Sequence, residues 1–138
     1  MLSRKIIFSW VACTFLMFFL SYTWHGIVLN DFKKISYQKE IFFSFLFLLY
    51  VIAGFLITFS YSMLDNKRNP VMRGAFVGTV AGFIIFLVVF VLGTSFTGLI
   101  QPAHITLDFV WQLLEQGSGG MVVGYIFHYF RRREILFD

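Results

Sequence analysis

HITLDFVWQLLEQGSGGMVVGYIFHYFRRR, from His104 to Arg133, is the stretch of this chain that decides its fold. It is long enough to cross a bilayer as a helix, because about 20 mostly apolar residues are sufficient. A simple anchor would be apolar throughout, yet this stretch carries Asp108 and Glu115 within its length. An ionisable group at membrane depth is costly, so the default hypothesis is that it serves a function. The stretch therefore predicts a membrane helix with a specialised polar face.

The composition predicts that the whole chain is a membrane protein. Hydrophobic residues make up 59% of its 138 residues and charged residues only 13%, which fits a bilayer better than water. The net charge of +4 comes from short basic clusters between apolar runs. Such clusters are typical of membrane topology signals, and no nucleic-acid motif accompanies them. We therefore predict one integral membrane domain that contacts the lipid bilayer and does not bind nucleic acid.

Four apolar runs have the length of membrane spans. They cover residues 6–29, 41–64, 74–100 and 103–130. The connections between them are short, and the Asn69–Pro70 dipeptide is typical of a break between helices. The first run begins like a signal peptide but continues too far, without a small-x-small cleavage site, so we interpret it as a retained span. The predicted fold is all-α, a four-helix transmembrane bundle that forms a single domain over residues 1–138.

Basic residues predict the orientation of this bundle. Three lie in the first connection, and the third connection has none. Eight lie at the N-terminus, in the second connection and at the C-terminus: Arg4, Lys5, Lys67, Arg68, Arg73, Arg131, Arg132 and Arg133. Because basic residues remain on the cytoplasmic side, both termini are predicted to be cytoplasmic.

Glycines predict which helices pack most closely. Three of them recur at four-residue spacing on one face of the third span, and three share a face of the fourth. They are Gly74, Gly78 and Gly82 in the third span and Gly117, Gly120 and Gly124 in the fourth. Small residues let helix backbones approach each other closely in a membrane. We therefore expect the two glycine faces to pack together.

A polar stripe lies roughly opposite the glycine face of the fourth span. It consists of His104, Asp108, Gln112 and Glu115, and His25 in the first span is predicted to lie at the depth of Asp108. We expect the stripe to face the first two spans or a partner subunit. Because His25 and Asp108 would both be costly against lipid, the sequence predicts that they form a hydrogen-bonded pair.

Glu115 has two interpretations that the sequence leaves open. It is either a proton or cation site, or a carboxyl that holds helices together by hydrogen bonds. In both cases we expect it to be neutral at pH 7, because burial disfavours the charged form and the apolar cores contain no basic residue. The side chains that we expect to be available as its partners are Gln112, Tyr50 and Thr14.

No cofactor and no catalytic residue are predicted. A set of His25, His104 and Asp108 can in principle bind a metal ion, and the two histidines can bind haem. However, the sequence has no HxxxH, no CxxCH and no other paired ligand spacing, so no metal site is predicted, although haem or metal at His25 and His104 is not excluded. Ser118 stands in a GSGG segment without a preceding strand or a suitably spaced base, which favours helix packing over catalysis. Cys13 is interpreted as a packing residue.

Two segments carry a resemblance to known proteins. WHGIVLNDF at residues 24–32 and WQLLEQGSGG at residues 111–120 resemble segments of uncharacterised bacterial four-helix integral membrane proteins that are grouped as domains of unknown function. The resemblance implies a location in the bacterial inner (plasma) membrane. It implies no activity.

Three functions follow from these observations, and the sequence favours the first. It is a non-enzymatic structural or accessory protein of a membrane complex, acting with a protein partner or as a homo-oligomer. The second is a small oligomeric transporter or ion and proton carrier that uses Glu115 and Asp108. The third is a haem- or metal-binding membrane enzyme that uses His25 and His104.

Overall fold

All regular secondary structure in the described part of the chain is helical, in agreement with the predicted fold class. A computed structural model describes residues 3–29, 38–64, 68–97 and 102–137, and within these ranges the side chains of all residues except 93–97 and 135–137. The helices are α1 (Arg4–Ser21), α2 (Lys39–Met63), α3 (Pro70–Thr97) and α4 (Pro102–Phe137), with a π-helical segment (Tyr22–Val28) that continues α1.

The four helices alternate in direction. The N-terminal end of α1 meets the C-terminal end of α4, where Lys5 and Glu134 are 4.0 Å apart. Near the middle of α1, the Trp10 Nε1–H donates to the Val51 carbonyl of α2 over 2.8 Å. Helix α4 packs against both α1 and α3, and α1 also packs against α2, whereas α2 and α3 meet only sparsely although they are consecutive. The first and fourth spans are therefore neighbours, which the sequence alone left undecided.

The helices have the length and polarity of a small integral membrane protein. Among the described residues, three helical stretches are long and apolar enough to cross a bilayer: Arg4–Val28, Lys39–Met63 and Pro70–Leu92. The outward side chains of the bundle are large and apolar, as lipid contact requires; Phe19 and Leu49 are examples. Helix α4 is not among the three, because amides, carboxyls and glycines lower its mean hydropathy. That it also spans the bilayer remains a prediction, which its position between α1 and α3 supports.

The break between α2 and α3 follows from two adjacent residues. Asn69 has a φ of 50°, a left-handed conformation that Asn tolerates better than most residues. Pro70 then begins α3, at the helical position where its missing N–H costs nothing. The Tyr61 hydroxyl donates to the Pro70 carbonyl over 3.3 Å, and Arg73 Nη2 donates to the Leu64 carbonyl over 2.9 Å. These two bonds fix the direction in which α3 leaves α2.

Most of the described basic residues lie at one end of the bundle, which we call the basic end. The other end of the described helices carries Lys39, while Lys33, Lys34 and Lys67 lie outside the described residues. The basic end consists of Arg4, Lys5, Arg68, Arg73, Arg131, Arg132 and Arg133. This asymmetry agrees with a cytoplasmic basic end, but the orientation itself remains a prediction.

The first span is not a continuous α-helix, which the sequence analysis did not foresee. From Tyr22 to Val28 the helix widens to the π form, and the Leu29 N–H reaches back to the Trp24 carbonyl over 2.8 Å. Segments of π-helix are rare and are found frequently at functional sites. Here the widened turn includes His25 and brings Trp24 against Trp111 of α4.

Candidate functional site: the buried carboxyl of α4

The position of α4 is set by its contact with α3. A Cβ atom added at Gly78 would overlap the carbonyl oxygen of Gln116, and one added at Gly74 would overlap the carbonyl oxygen of Gly120. One added at Gly82 would lie 2.8 Å from the carbonyl oxygen of Gln112. Only glycine therefore allows the two backbones to lie so close together. The same close approach continues at Gly124, which lies against the backbone of Pro70.

Glu115 lies next to this seam, inside the bundle. Only 1% of its surface is exposed. Its carboxyl oxygens accept hydrogen bonds from Trp111 Nε1 over 2.8 Å and from Gln116 Nε2 over 3.4 Å. The hydroxyl of Tyr50, from α2, donates to the same carboxyl. Three donors from two helices therefore surround one buried carboxyl.

The hydrogen bonds extend from Tyr50 to α1. The Ser21 hydroxyl donates to the Tyr50 oxygen, and Thr14 Oγ1 donates to the Tyr50 carbonyl over 3.3 Å. Helices α1, α2 and α4 are thus joined through one tyrosine and one glutamate. Of the three partners expected for Glu115, Tyr50 occupies that role. Thr14 bonds to the Tyr50 backbone instead, and the amide in contact with the carboxyl is that of Gln116.

The rest of the polar stripe does not share this environment. His104 and Asp108 are exposed, and Gln112 is half-buried. His25 is half-buried beside Trp24, whose ring stacks on that of Trp111 at 4.4 Å and 8°. The structure therefore brings the segments that carry His25 and Asp108 together, while direct pairing of the two side chains remains a prediction.

The described residues contain no group of three His, Cys, Asp or Glu side chains that could hold a metal ion. Ser118 donates its hydroxyl to the Leu114 carbonyl of its own helix over 2.7 Å, as expected of a serine within a helix. Cys13 is fully buried, with its sulfur 4.0 Å from that of Met17. An absorbance spectrum of the purified protein tests for haem at His25 and His104.

The sparse contact between α2 and α3 leaves a groove, which we call the α2/α3 groove. It has two overlapping sections of about 430 and 450 Å³, which share Ala53, Leu56, Ile84 and Ile85. The section farther from the basic end is bordered by apolar side chains and by three polar ones, Tyr50, Gln112 and Gln116. Two of the three, Tyr50 and Gln116, are hydrogen-bonded to Glu115.

One packing face beside this site was not predicted from the sequence. Four buried residues of α1 recur every four positions: Ser9, Cys13, Met17 and Ser21. A Cβ atom at Gly119 would lie 2.8 Å from the Met17 sulfur and 3.0 Å from that of Cys13. The small residues Ser9, Cys13 and Ser21 in this repeat were a usable signal, because small residues at such spacing are typical of close helix contacts in membranes.

No protein-family model, no curated protein and no solved structure matches this chain.

Proposed function

We propose that this chain is a non-enzymatic structural or accessory protein of a membrane complex, located in the bacterial inner membrane. The observation that carries the proposal is the environment of Glu115. Its carboxyl is 1% exposed and accepts hydrogen bonds from Trp111, Gln116 and Tyr50. A buried carboxyl with these hydrogen bonds stabilises the contact between helices. Separating the helices would leave it unpaired, and an unpaired polar group in a membrane interior is costly.

The remaining polar groups of α4 support a docking role. Gln112 borders the α2/α3 groove, and His104 is exposed near the start of the helix. Polar side chains that are not used inside the bundle are available to another chain, because interhelical hydrogen bonds are a main source of specificity between membrane helices. The resemblance to four-helix membrane proteins of bacteria implies the same location but supplies no activity.

The test is purification of the tagged chain from native membranes in mild detergent, followed by mass spectrometry. We expect a defined membrane protein to co-purify in a constant ratio, and Glu115→Gln to preserve that ratio, because glutamine keeps an acceptor in the junction. A chain that purifies only as a monomer or only with itself contradicts the proposal.

A small proton or ion carrier is the second candidate, and one observation favours it. The α2/α3 groove reaches Tyr50 and Gln116, which both contact Glu115, so the carboxyl is one side chain away from an opening in the bundle. Purified protein in sealed liposomes distinguishes the two functions. A proton or cation flux that Glu115→Gln abolishes, in a variant that still folds, supports the carrier and contradicts a purely structural role.

A further inference from the structure

The α2/α3 groove extends across most of the membrane interior. Along α2 its lining runs from Leu46 to Leu64. At about 1.5 Å per residue, this length is about 27 Å, which is close to the thickness of the hydrocarbon core, about 30 Å. A phospholipid chain occupies only one leaflet, roughly half of that depth. The shape of the groove therefore fits an elongated occupant that crosses both leaflets.

The groove is not uniformly apolar. Its walls are mainly apolar side chains of α2 and α3, with Ser60 and Tyr50 among them, and Gln112 and Gln116 of α4 border it near the middle of the bundle. Gln116 is 1% exposed, and its amide oxygen has no hydrogen-bond partner within the described part of the chain. An unpaired buried carbonyl is costly, and hydrocarbon cannot supply a donor to it. An occupant with a hydrogen-bond donor at this depth therefore fits the groove better than a purely apolar one.

We propose that the α2/α3 groove receives a transmembrane helix of a different membrane protein, with a Ser, Thr, Asn or Gln side chain that donates to the amides of Gln116 and Gln112. The inference rests on the proposed accessory function and specifies its partner. A helix crosses both leaflets, presents a ridge of side chains to a groove, and carries a polar group at a fixed depth.

A second copy of this chain fits the groove less well. At the middle of the membrane, the side chains that the described helices expose are mainly apolar, for example Phe15 on α1, Leu49 on α2 and Leu114 on α4. Such faces provide no donor for the amide oxygen of Gln116. The occupant is therefore expected to be a different protein.

The first part of the test is photo-crosslinking in native membranes. Ile84 borders both sections of the groove and is 55% exposed, whereas the adjacent Phe83 is 46% exposed and lies outside the groove lining. The variants Ile84→p-benzoylphenylalanine and Phe83→p-benzoylphenylalanine place the same photoreactive group at the same depth on two sides of α3. We expect the first variant, and not the second, to crosslink to a different membrane protein, within a transmembrane peptide that contains a Ser, Thr, Asn or Gln residue.

The second part of the test removes the acceptor. Gln116→Met keeps the length of the side chain but not its amide. The isolated variant is expected to be about as stable to heat as the parent, because the removal of a buried oxygen without a partner offsets the loss of the 3.4 Å bond from Gln116 Nε2 to Glu115. Recovery of the complex is expected to fall about tenfold, the size of effect that one interhelical hydrogen bond produces in a membrane.

The outcomes separate this inference from the proposed function. Suppose that a partner co-purifies. If it crosslinks equally from positions 83 and 84, or if position 84 reacts only with lipid or with a second copy, the groove assignment is wrong and the accessory function stands. Unchanged recovery of the complex with Gln116→Met also contradicts the assignment. If neither position crosslinks to a protein and nothing co-purifies, both proposals fail.

Discussion

At the scale of single residues, a few polar side chains fix the centre of the bundle. In lipid there is little hydrophobic driving force between helices, so packing and hydrogen bonds carry more of the specificity. Glu115 receives donors from Trp111 and Gln116 on its own helix and from Tyr50 on α2. Tyr50 in turn is bonded to Ser21 of α1. Replacing one of these side chains therefore affects the contact of three helices.

Glu115→Gln is predicted to be tolerated, and Glu115→Leu is not. Glutamine keeps one acceptor for Trp111, and its amide can donate to the Tyr50 oxygen once the hydroxyl rotates. We expect it to change the free energy of unfolding by about 1 kcal/mol or less. Leucine leaves the Trp111 and Tyr50 donors unpaired, at a cost of about 1–3 kcal/mol for each buried group.

Thermal unfolding of both variants is measured in the same detergent, with tryptophan fluorescence as the signal. A Glu115→Gln protein that fails to fold contradicts the neutral, hydrogen-bonded carboxyl and indicates an ionised Glu115 with a further partner.

At the scale of helices, the seam between α3 and α4 is the tightest contact in the described bundle. Its register is regular, because Gly74 faces Gly120, Gly78 faces Gln116 and Gly82 faces Gln112. Four residues of α3 thus correspond to four residues of the antiparallel α4. Since the nearest atoms across the seam are backbone carbonyls, an added side chain cannot be accommodated by rotation of a neighbour.

Gly78→Ala is predicted to destabilise the bundle more than Gly117→Ala, although both glycines are buried on the seam. A Cβ at position 78 would overlap the Gln116 carbonyl, whereas one at position 117 would lie 3.0 Å from the rotatable Thr79 hydroxyl. We expect a loss of about 1–3 kcal/mol for Gly78→Ala and markedly less for Gly117→Ala. Gly78→Leu is expected to prevent assembly altogether.

Expression level and unfolding midpoint in detergent measure these effects. Equal stability of the two alanine variants, or normal purification of Gly78→Leu, would show that the α3–α4 contact is looser than the glycine geometry requires.

At the scale of the whole molecule, the bundle has two unlike ends and one open side. The basic end gathers cations from α1, α3 and α4, and α2 joins it through the bond from Tyr61 to Pro70. Among the described residues of this end, Glu134 lies 4.0 Å from Lys5. The open side is the α2/α3 groove. It exists because α1 and α3 both pack against α4, while α2 packs mainly against α1.

The topology prediction is that positions 67 and 131 are cytoplasmic and position 101 is external. Lys67 and Gln101 lie outside the described residues, so the prediction rests on the basic residues of the sequence. Lys67→Cys and Arg131→Cys should react with a membrane-impermeant maleimide only after cells are opened, and Gln101→Cys should react in intact cells. Cys13 is fully buried, so the parent chain is the unlabelled control. A protected position 101 together with an accessible position 67 would reverse the orientation.

The sequence by itself was sufficient for the all-α fold class, and it predicted four spans and two glycine faces. These depend on local properties: apolar length, Asn69–Pro70 as a helix break, and the spacing of Gly74, Gly78 and Gly82 on one helical face. Such features can be predicted from the sequence because a helix in lipid must form all of its backbone hydrogen bonds within itself. Only the pattern of side chains then differs from one helix to another.

Only the tertiary structure decided which groups meet. That Tyr50 of α2 meets Glu115 of α4, and that α2 stands apart from α3, depends on how four helices share the space around α4. The widening of the first span at Tyr22–Val28 also has no local signal that we recognise, because it accompanies the stacking of Trp24 on Trp111 across two helices. Contacts of this kind join residues far apart in the chain. Their geometry is set by how the helices pack, and the residue pattern of one helix carries no information about that packing.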